Sequence, residues 1–449
     1  MCGTFAVPEN RKAHSGRVIP LGIVVLKARH ATRGAIAFIE GGPGIGAVQD
    51  AAWVADGNDP VLAAFKDDYD LVFVDNRGMG SSNPTNCNIA PYSDMASYFL
   101  QIWPDNILSA CYRRYTATTN ASLYNTNNAV DDLDDIRAAL GYRKFVLYGG
   151  SYGSFFAFVY MRRHPDHVKS VVLEGILAPH FEPLPGAPRG AQVALDDLAV
   201  KCSKDAHCRA SFPHFLPHFK AVLRRFDNGP VRINVWNPKA NHLQAVLLSK
   251  EVLVDRIREA LYAPEIAAFL PYAIDRAYYG DYVPLGRIID FWSQMLARAQ
   301  DAGTNLSYRC AEFEPFISNE ELRTEAAHSF TGDLRVRAER KACSIWKVDP
   351  MPAAFNEPVK SRIPVLMVSG TDDPATPPEY AVEELQYLSD AKLVLVRGAG
   401  HGVFNSCTNQ VMIDFLRDGS AKGIDGSRCS ASFTPQRFAT SMSEWRDFQ

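Results

Sequence analysis

Long hydrophobic runs are missing from this 449-residue chain. The longest, such as LGIVVL at 21–26 and FVLYGG at 145–150, are strand-sized and far short of the ~20 residues needed to cross a bilayer as a helix. Charge of one sign is not in excess either. Lys and Arg number 47 against 50 Asp and Glu, a formal net charge of -3 with no long basic tract. A nucleic-acid or membrane-surface partner therefore has no electrostatic support. None of the nine cysteines forms a CxxC pair or sits near a His at zinc-ligand spacing, so no metal site is expected, and the serine chemistry read below needs no cofactor. There is no internal repeat and no low-complexity tract. The opening MCGTFAVPENR lacks a basic segment followed by an apolar one, so no signal peptide is legible. Met1 is taken to stand in place of a removed leader.

What remains is ordinary globular composition, 47% hydrophobic and 22% charged. The length exceeds that of one simple core, so two structural units, or one core with a large insertion, are expected. From Cys87 onward the cysteines fall into four sequence-neighbour couples, 87/111, 202/208, 310/343 and 407/429. Buried free thiols in a cytosolic enzyme would be the bland reading. The even count and loop-like surroundings favour disulfides, hence a secreted or periplasmic location. Cys2 is left over.

The first part of the chain alternates strand and helix patterns. GRVIPLGIVVLKA reads as one or two strands; GAIAFIE (34–40), YDLVFVD (69–75), KFVLYG (144–149) and VKSVVLEG (168–175) read as buried strands. Helical spacing of Val130, Leu133, Ile136 and Leu140 follows a polar cap, and another helix is expected from Tyr152 to His164. Continuous apolar runs separated by helices predict a parallel sheet covered on both faces. From about 178 to 360 the alternation stops. Five segments look helical there, and no strand of comparable strength is legible. The strand pattern resumes with PVLMVSG (364–370) and KLVLVRG (392–398). The expected division is a core over 1–177, a helical cap over 178–360 and the rest of the core over 361–449.

The sharpest motif is Gly149-Gly150-Ser151-Tyr152-Gly153, a GxSxG string between a strand and a helix. There a sharp turn presents a serine hydroxyl at a helix N-terminus, and small neighbours avoid clashes. A serine nucleophile needs a base, and in this architecture the order is serine, acid, histidine. Beyond residue 328 the only histidine is His401, in GAGHGVF after a strand. The preceding strand ends in GTDDPATP, which offers Asp372 and Asp373. Asp373 is preferred because it leads into the turn, where its carboxylate can orient the imidazole. For the oxyanion, the Tyr152 N–H is one expected donor. The other comes from Gly41-Gly42-Pro43-Gly44, with Gly42 preferred over Gly41 because Pro43 has no N–H.

Together GGPG at 41–44, DNRGMGSS at 75–82, GGSYG, GTDDPATP and GAGH resemble the proline iminopeptidase and tripeptidyl aminopeptidase family of α/β-hydrolases. The likeness covers both arms of the core. CGTFAVPENR, YRCAEFEPF and CSIW are similar to its secreted tripeptidyl-aminopeptidase-like branch. The resemblance implies an α/β-hydrolase fold with a helical cap and cleavage of short peptides from the N-terminus. An aminopeptidase must hold a free ammonium, and carboxylates near the site would do so. Glu312 and Glu314 are the candidates in the cap. Glu40, where proline iminopeptidases usually carry His, is a third and departs from the pattern that would carry proline specificity.

Two activities share these residues: an aminopeptidase, and a carboxylesterase acting on small acyl esters or amides. The expected partner is thus a peptide or small acyl substrate. A non-catalytic interaction protein would have a broken triad, and haloalkane dehalogenases and epoxide hydrolases use Asp, not Ser, as nucleophile.

Overall fold

The computed structural model describes residues 1–13, 16–30, 33–181, 183–429 and 436–448. Eight strands form one sheet: β1 (Cys2–Pro8), β2 (Val18–Leu26), β3 (Ala35–Ile39), β4 (Asp70–Val74), β5 (Phe145–Gly150), β6 (Val168–Glu174), β9 (Val365–Gly370) and β10 (Ala391–Val396). A hairpin of β7 (Val231–Asn237) and β8 (His242–Leu248) stands apart. The spatial order is β1-β2-β4-β3-β5-β6-β9-β10. The six strands from β4 to β10 run parallel, and β2 runs antiparallel to both β1 and β4.

The strand sequences explain this burial. In β5, Leu147 packs into one hydrophobic cluster, whereas Val146 and Tyr148 face the other. Met367 of β9 likewise lies opposite Leu366 and Val368. Alternation of side chains with apolar residues at every position means that both faces are covered, as in parallel sheets. Two of the covering helices are α1 (Thr126–Ala139) and α2 (Tyr152–Arg163). The middle of α2, from Phe155 to Tyr160, is wholly buried.

The chain leaves the sheet after Glu174 and returns at Val365, and what lies between is mainly helical. It includes α3 (Pro183–Lys204), α4 (Lys250–Ala260), α5 (Ala302–Glu312) and α6 (Leu334–Ile345). To the expected helical cap, with no strand of comparable strength, the structure adds the β7–β8 hairpin. In β7, Arg232 and Asn234 are exposed between buried Ile233 and Val235, whereas β8 exposes Leu243 and Leu247 beside buried Val246 and Leu248. Half-polar alternation is a weaker signal than the continuous runs of the core strands. The strand β1 also escapes a reading of apolar runs, because most of it is exposed at the sheet edge.

The four cysteine couples are disulfides: Cys87–Cys111, Cys202–Cys208, Cys310–Cys343 and Cys407–Cys429. Cys2 is free and exposed. Among the described residues no helix is long and apolar enough to cross a membrane.

Candidate active site

Ser151 occupies the turn between β5 and α2 with φ 56° and ψ −124°. A β-carbon residue rarely adopts a positive φ, and such strain persists only where the surroundings enforce it. Here the enforcement is visible. The Ser151 N–H donates to the Glu174 carbonyl at 2.9 Å, at the end of the neighbouring strand. A Cβ at Gly149 would lie 2.9 Å from the Gly153 carbonyl oxygen, and one at Gly153 only 2.4 Å from that of Ile39. The two glycines of GxSxG are thus close-approach residues. Gly150, between them, meets nothing nearer than 3.7 Å.

Asp373 and His401 follow β9 and β10 at the same end of the sheet. His401 Nδ1 lies 2.8 and 3.0 Å from the two Asp373 carboxylate oxygens. Asp373 is buried and also accepts from the Ala375 N–H at 2.7 Å, the Thr376 N–H at 3.0 Å and the Thr376 hydroxyl at 2.6 Å. Burial alone would raise its pKa; His401 and these donors overcome that and hold it below the usual carboxylate range. Asp372, its neighbour, is turned elsewhere: Lys201 of α3 pairs with it, and the Thr371 hydroxyl donates to it at 2.8 Å. The His401 N–H donates to the Tyr262 carbonyl at 3.0 Å, and the two rings are 5.1 Å apart. His401 also flanks Gly175, where a Cβ would stand 3.1 Å from its Cε1. Among the described residues no hydrogen bond joins Ser151 to His401, a contact that in such sites commonly tightens on approach to the transition state.

The Tyr152 N–H begins a helix and has no intrahelical acceptor. Gly42 has φ 114°, and both it and Tyr152 line a cavity of about 80 Å³ with Ser151. The loop carrying Gly42 is gripped from above. Gln300 and Asn305 each donate to the Pro43 carbonyl at 2.7 Å, and the Asp301 N–H donates to the Gly44 carbonyl at 2.7 Å. The DNRGMGSS motif supports the same region from below. Asp75 accepts from the N–H groups of Val48 and Ser81, and buried Arg77 makes a two-pronged pair with Asp132 at 2.7 and 2.8 Å.

The three glutamates expected to hold an ammonium are not brought to this cavity. Glu312 is buried under Tyr152, where it accepts from the Thr126 N–H at the start of α1 and from the Thr126 hydroxyl at 2.7 Å. That hydroxyl in turn meets the Tyr152 hydroxyl at 2.6 Å. Burial pushes the Glu312 carboxyl up to about 8. Glu314 lies 3.5 Å from Arg340. Glu40 follows β3; burial raises its carboxyl, and burial, with the charges of Glu40 and Asp75, raises that of Asp50 to about 7. The physical reason for the miss is local. A carboxylate one turn from a cap disulfide looks available in sequence, but helix geometry turns Glu312 toward the core.

The side chains that do face the cavity from the cap include Arg258, Arg309, Arg335 and Tyr262. None was legible. Arg258 and Arg309 lie within helices of the insertion, and Tyr262 follows the first of these; no short-range pattern marks an inward-facing charge there. Thr376 had a faint signal, since Asp-Pro-Ala-Thr is a turn in which an aspartate accepts from residues two and three ahead.

Residues 34–197 match the family described as alpha/beta hydrolase fold, and residues 329–429 match the family described as TAP-like protein. Serine protease Hip1 of Mycobacterium tuberculosis is 25% identical, with 96% of this chain and 87% of that protein covered. Tripeptidyl aminopeptidase of Streptomyces lividans is 25% identical, with 97% and 84% covered. Carboxylesterase B of Mycobacterium tuberculosis is 25% identical, with 93% and 84% covered. The chain is a serine hydrolase with the α/β-hydrolase fold. Its motifs resemble the proline iminopeptidase and tripeptidyl aminopeptidase family, and the TAP-like match over residues 329–429 points in the same direction.

Proposed function

We propose that this chain is a serine peptidase that releases short peptides from the N-terminus of peptide substrates. Ser151 attacks the scissile carbonyl as His401 takes its proton. Asp373 fixes the imidazole tautomer and stabilises the imidazolium. The N–H groups of Tyr152 and Gly42 receive the oxyanion. His401 then protonates the leaving amine, and water hydrolyses the acyl-enzyme with the roles reversed. The observation that carries this reading is the strained Ser151, opening into a cap-covered cavity at the same sheet end as the Asp373–His401 pair. A small covered cavity favours a short segment over a folded protein.

The cationic lining bears on how much is released. An ammonium beside Arg258, whose nearest carboxylate oxygen is 3.9 Å away, would be repelled. Releasing a single amino acid would put the substrate ammonium there. Releasing a tripeptide would keep it about 10 Å away, at ~3.3 Å per extended residue. This supports peptide release over single-residue release and sets Glu312, Glu314 and Glu40 aside as ammonium ligands. The name of the Streptomyces relative points the same way. The second reading, a carboxylesterase, uses the same groups and is favoured by the likeness to carboxylesterase B. The four disulfides support an oxidising location, secreted or periplasmic.

The test compares tripeptidyl and aminoacyl p-nitroanilides with free amines, their N-acetyl forms, and a p-nitrophenyl acyl ester. Turnover of the free tripeptidyl anilide is expected. Ester cleavage with no anilide turnover would establish the esterase instead. Ser151→Ala should lower kcat by at least about 10⁴ with the melting temperature unchanged. Retention of most activity would remove Ser151 from the mechanism.

A further inference from the structure

The cavity above Ser151 is walled by guanidinium groups from three cap helices, Arg258 of α4, Arg309 of α5 and Arg335 of α6. Their carboxylate partners are unevenly shared. Arg309 is satisfied by Glu339, with its Nε 3.0 Å from one oxygen and its Nη2 on the other. Arg335 pairs with Asp255, and Arg256 donates to Asp255 at 2.9 Å and to Glu259 at 2.6 Å. Four guanidinium groups thus meet three carboxylates, and the group left short is Arg258. Its nearest carboxylate oxygen, on Asp255, is 3.9 Å from Nε. Its one hydrogen bond goes from Nη1 to the Tyr262 hydroxyl, and the guanidinium lies 5.0 Å from that ring's centre. The side chain is 4% exposed, yet Nε is buried without an acceptor.

A guanidinium has five N–H donors in a rigid fork, and burying it with donors unmet is unfavourable. The complement is a planar anion accepting two parallel hydrogen bonds, that is, a carboxylate. We propose that Arg258 binds a carboxylate of the substrate, so that the enzyme prefers peptides carrying an anionic group close to the scissile bond. The inference rests on the peptidase reading above and adds the substrate class. Tyr262 braces Arg258 on one side, and its carbonyl accepts from His401, so this subsite adjoins the acid–base residue. The carboxylate has two possible sources, an acidic side chain of the acyl portion or the free C-terminus of the leaving portion.

Two matched pairs of peptides separate them. Ala-Ala-Glu-p-nitroanilide against Ala-Ala-Gln-p-nitroanilide probes the side chain. Tetra-alanine as free acid against its C-terminal amide, followed by chromatography of products, probes the terminus. In the wild-type enzyme one charged member should exceed its neutral partner in kcat/KM by about tenfold or more. The pair showing the preference names the source, and raising the salt concentration should shrink the ratio. In Arg258→Gln the ratio should fall toward one, and Arg258→Lys should keep part of it. Ratios near one in both wild-type pairs would overturn the inference, as would a preference that survives Arg258→Gln. The wild-type ratios decide the matter alone if the variants do not fold. Equal hydrolysis of all four peptides removes the carboxylate subsite and leaves the peptidase. No hydrolysis of any removes both.

Discussion

The core and the cap build their shares of the site in different ways. In the core each reactive group follows a strand and is fixed mainly by neighbours a few residues away: Ser151 by Gly149 and Gly153, with the Glu174 carbonyl of the adjacent strand, and Asp373 by Ala375 and Thr376. In the cap the cavity wall comes from helices remote in sequence, held by ion pairs such as Arg335–Asp255 and Arg309–Glu339 across 80 and 30 residues. Local constraint fixes the chemistry, and long-range charge pairing fixes what the chemistry is offered.

The comparison can be broken first at the acid. Asp373→Asn should lower kcat by about 10⁴, because an amide there allows the wrong imidazole tautomer. Asp372→Asn, which loses only the Lys201 pair, should stay within about tenfold of wild type. The reverse order, measured on one anilide substrate, would move the acid by one residue and undo the local account of the core.

A smaller effect tests whether the two regions are as separate as they look. Asn305 belongs to the cap helix α5, yet it holds the Pro43 carbonyl beside Gly42. Asn305→Ala should lower kcat about tenfold with KM little changed, since a loosened donor weakens oxyanion binding more than substrate binding. A change in KM alone would make Asn305 part of the substrate wall instead.

The core was the more legible region for the same physical reason. Strand-sized apolar runs, the serine between two glycines and the single late histidine are short-range patterns, and short-range patterns survive in a string of letters. Asp373 over Asp372 was legible from the turn. Most of the cap helices were legible as elements, but α5, which carries Asn305, Arg309 and Glu312, was not, and neither was which of their charges point inward. Arg258 and Glu312 show the cost of that gap, because an arginine that drew no notice in the sequence lines the cavity and a glutamate read as a ligand is packed beneath it.

The smallest expected effect concerns Glu312. Its carboxyl is raised by burial from 4.5 to about 8 in the folded chain. Between those values the native state holds a proton that the unfolded state releases, so this group makes stability fall as pH rises through that window. Glu312→Gln removes the titrating group. The decline in melting temperature between pH 5 and pH 8.5 should therefore be shallower by a few degrees in the variant. Hydrolysis of free and N-acetylated substrates should change by equal factors. A selective loss with free amines would return Glu312 to the binding site and blur the contrast drawn here.

The Ser151 N–H is bonded to the carbonyl of Glu174, the last residue before the chain departs into the cap. This has a consequence for chimeras. A cap transplanted from a relative must be spliced after that carbonyl, with Gly175 retained beside the His401 ring. The recipient junction on the other side lies before β9 at Val365. A graft must also supply donors to the Pro43 and Gly44 carbonyls and an acceptor for the His401 N–H, and one spliced a residue or two earlier would disturb the nucleophile while appearing to alter only specificity.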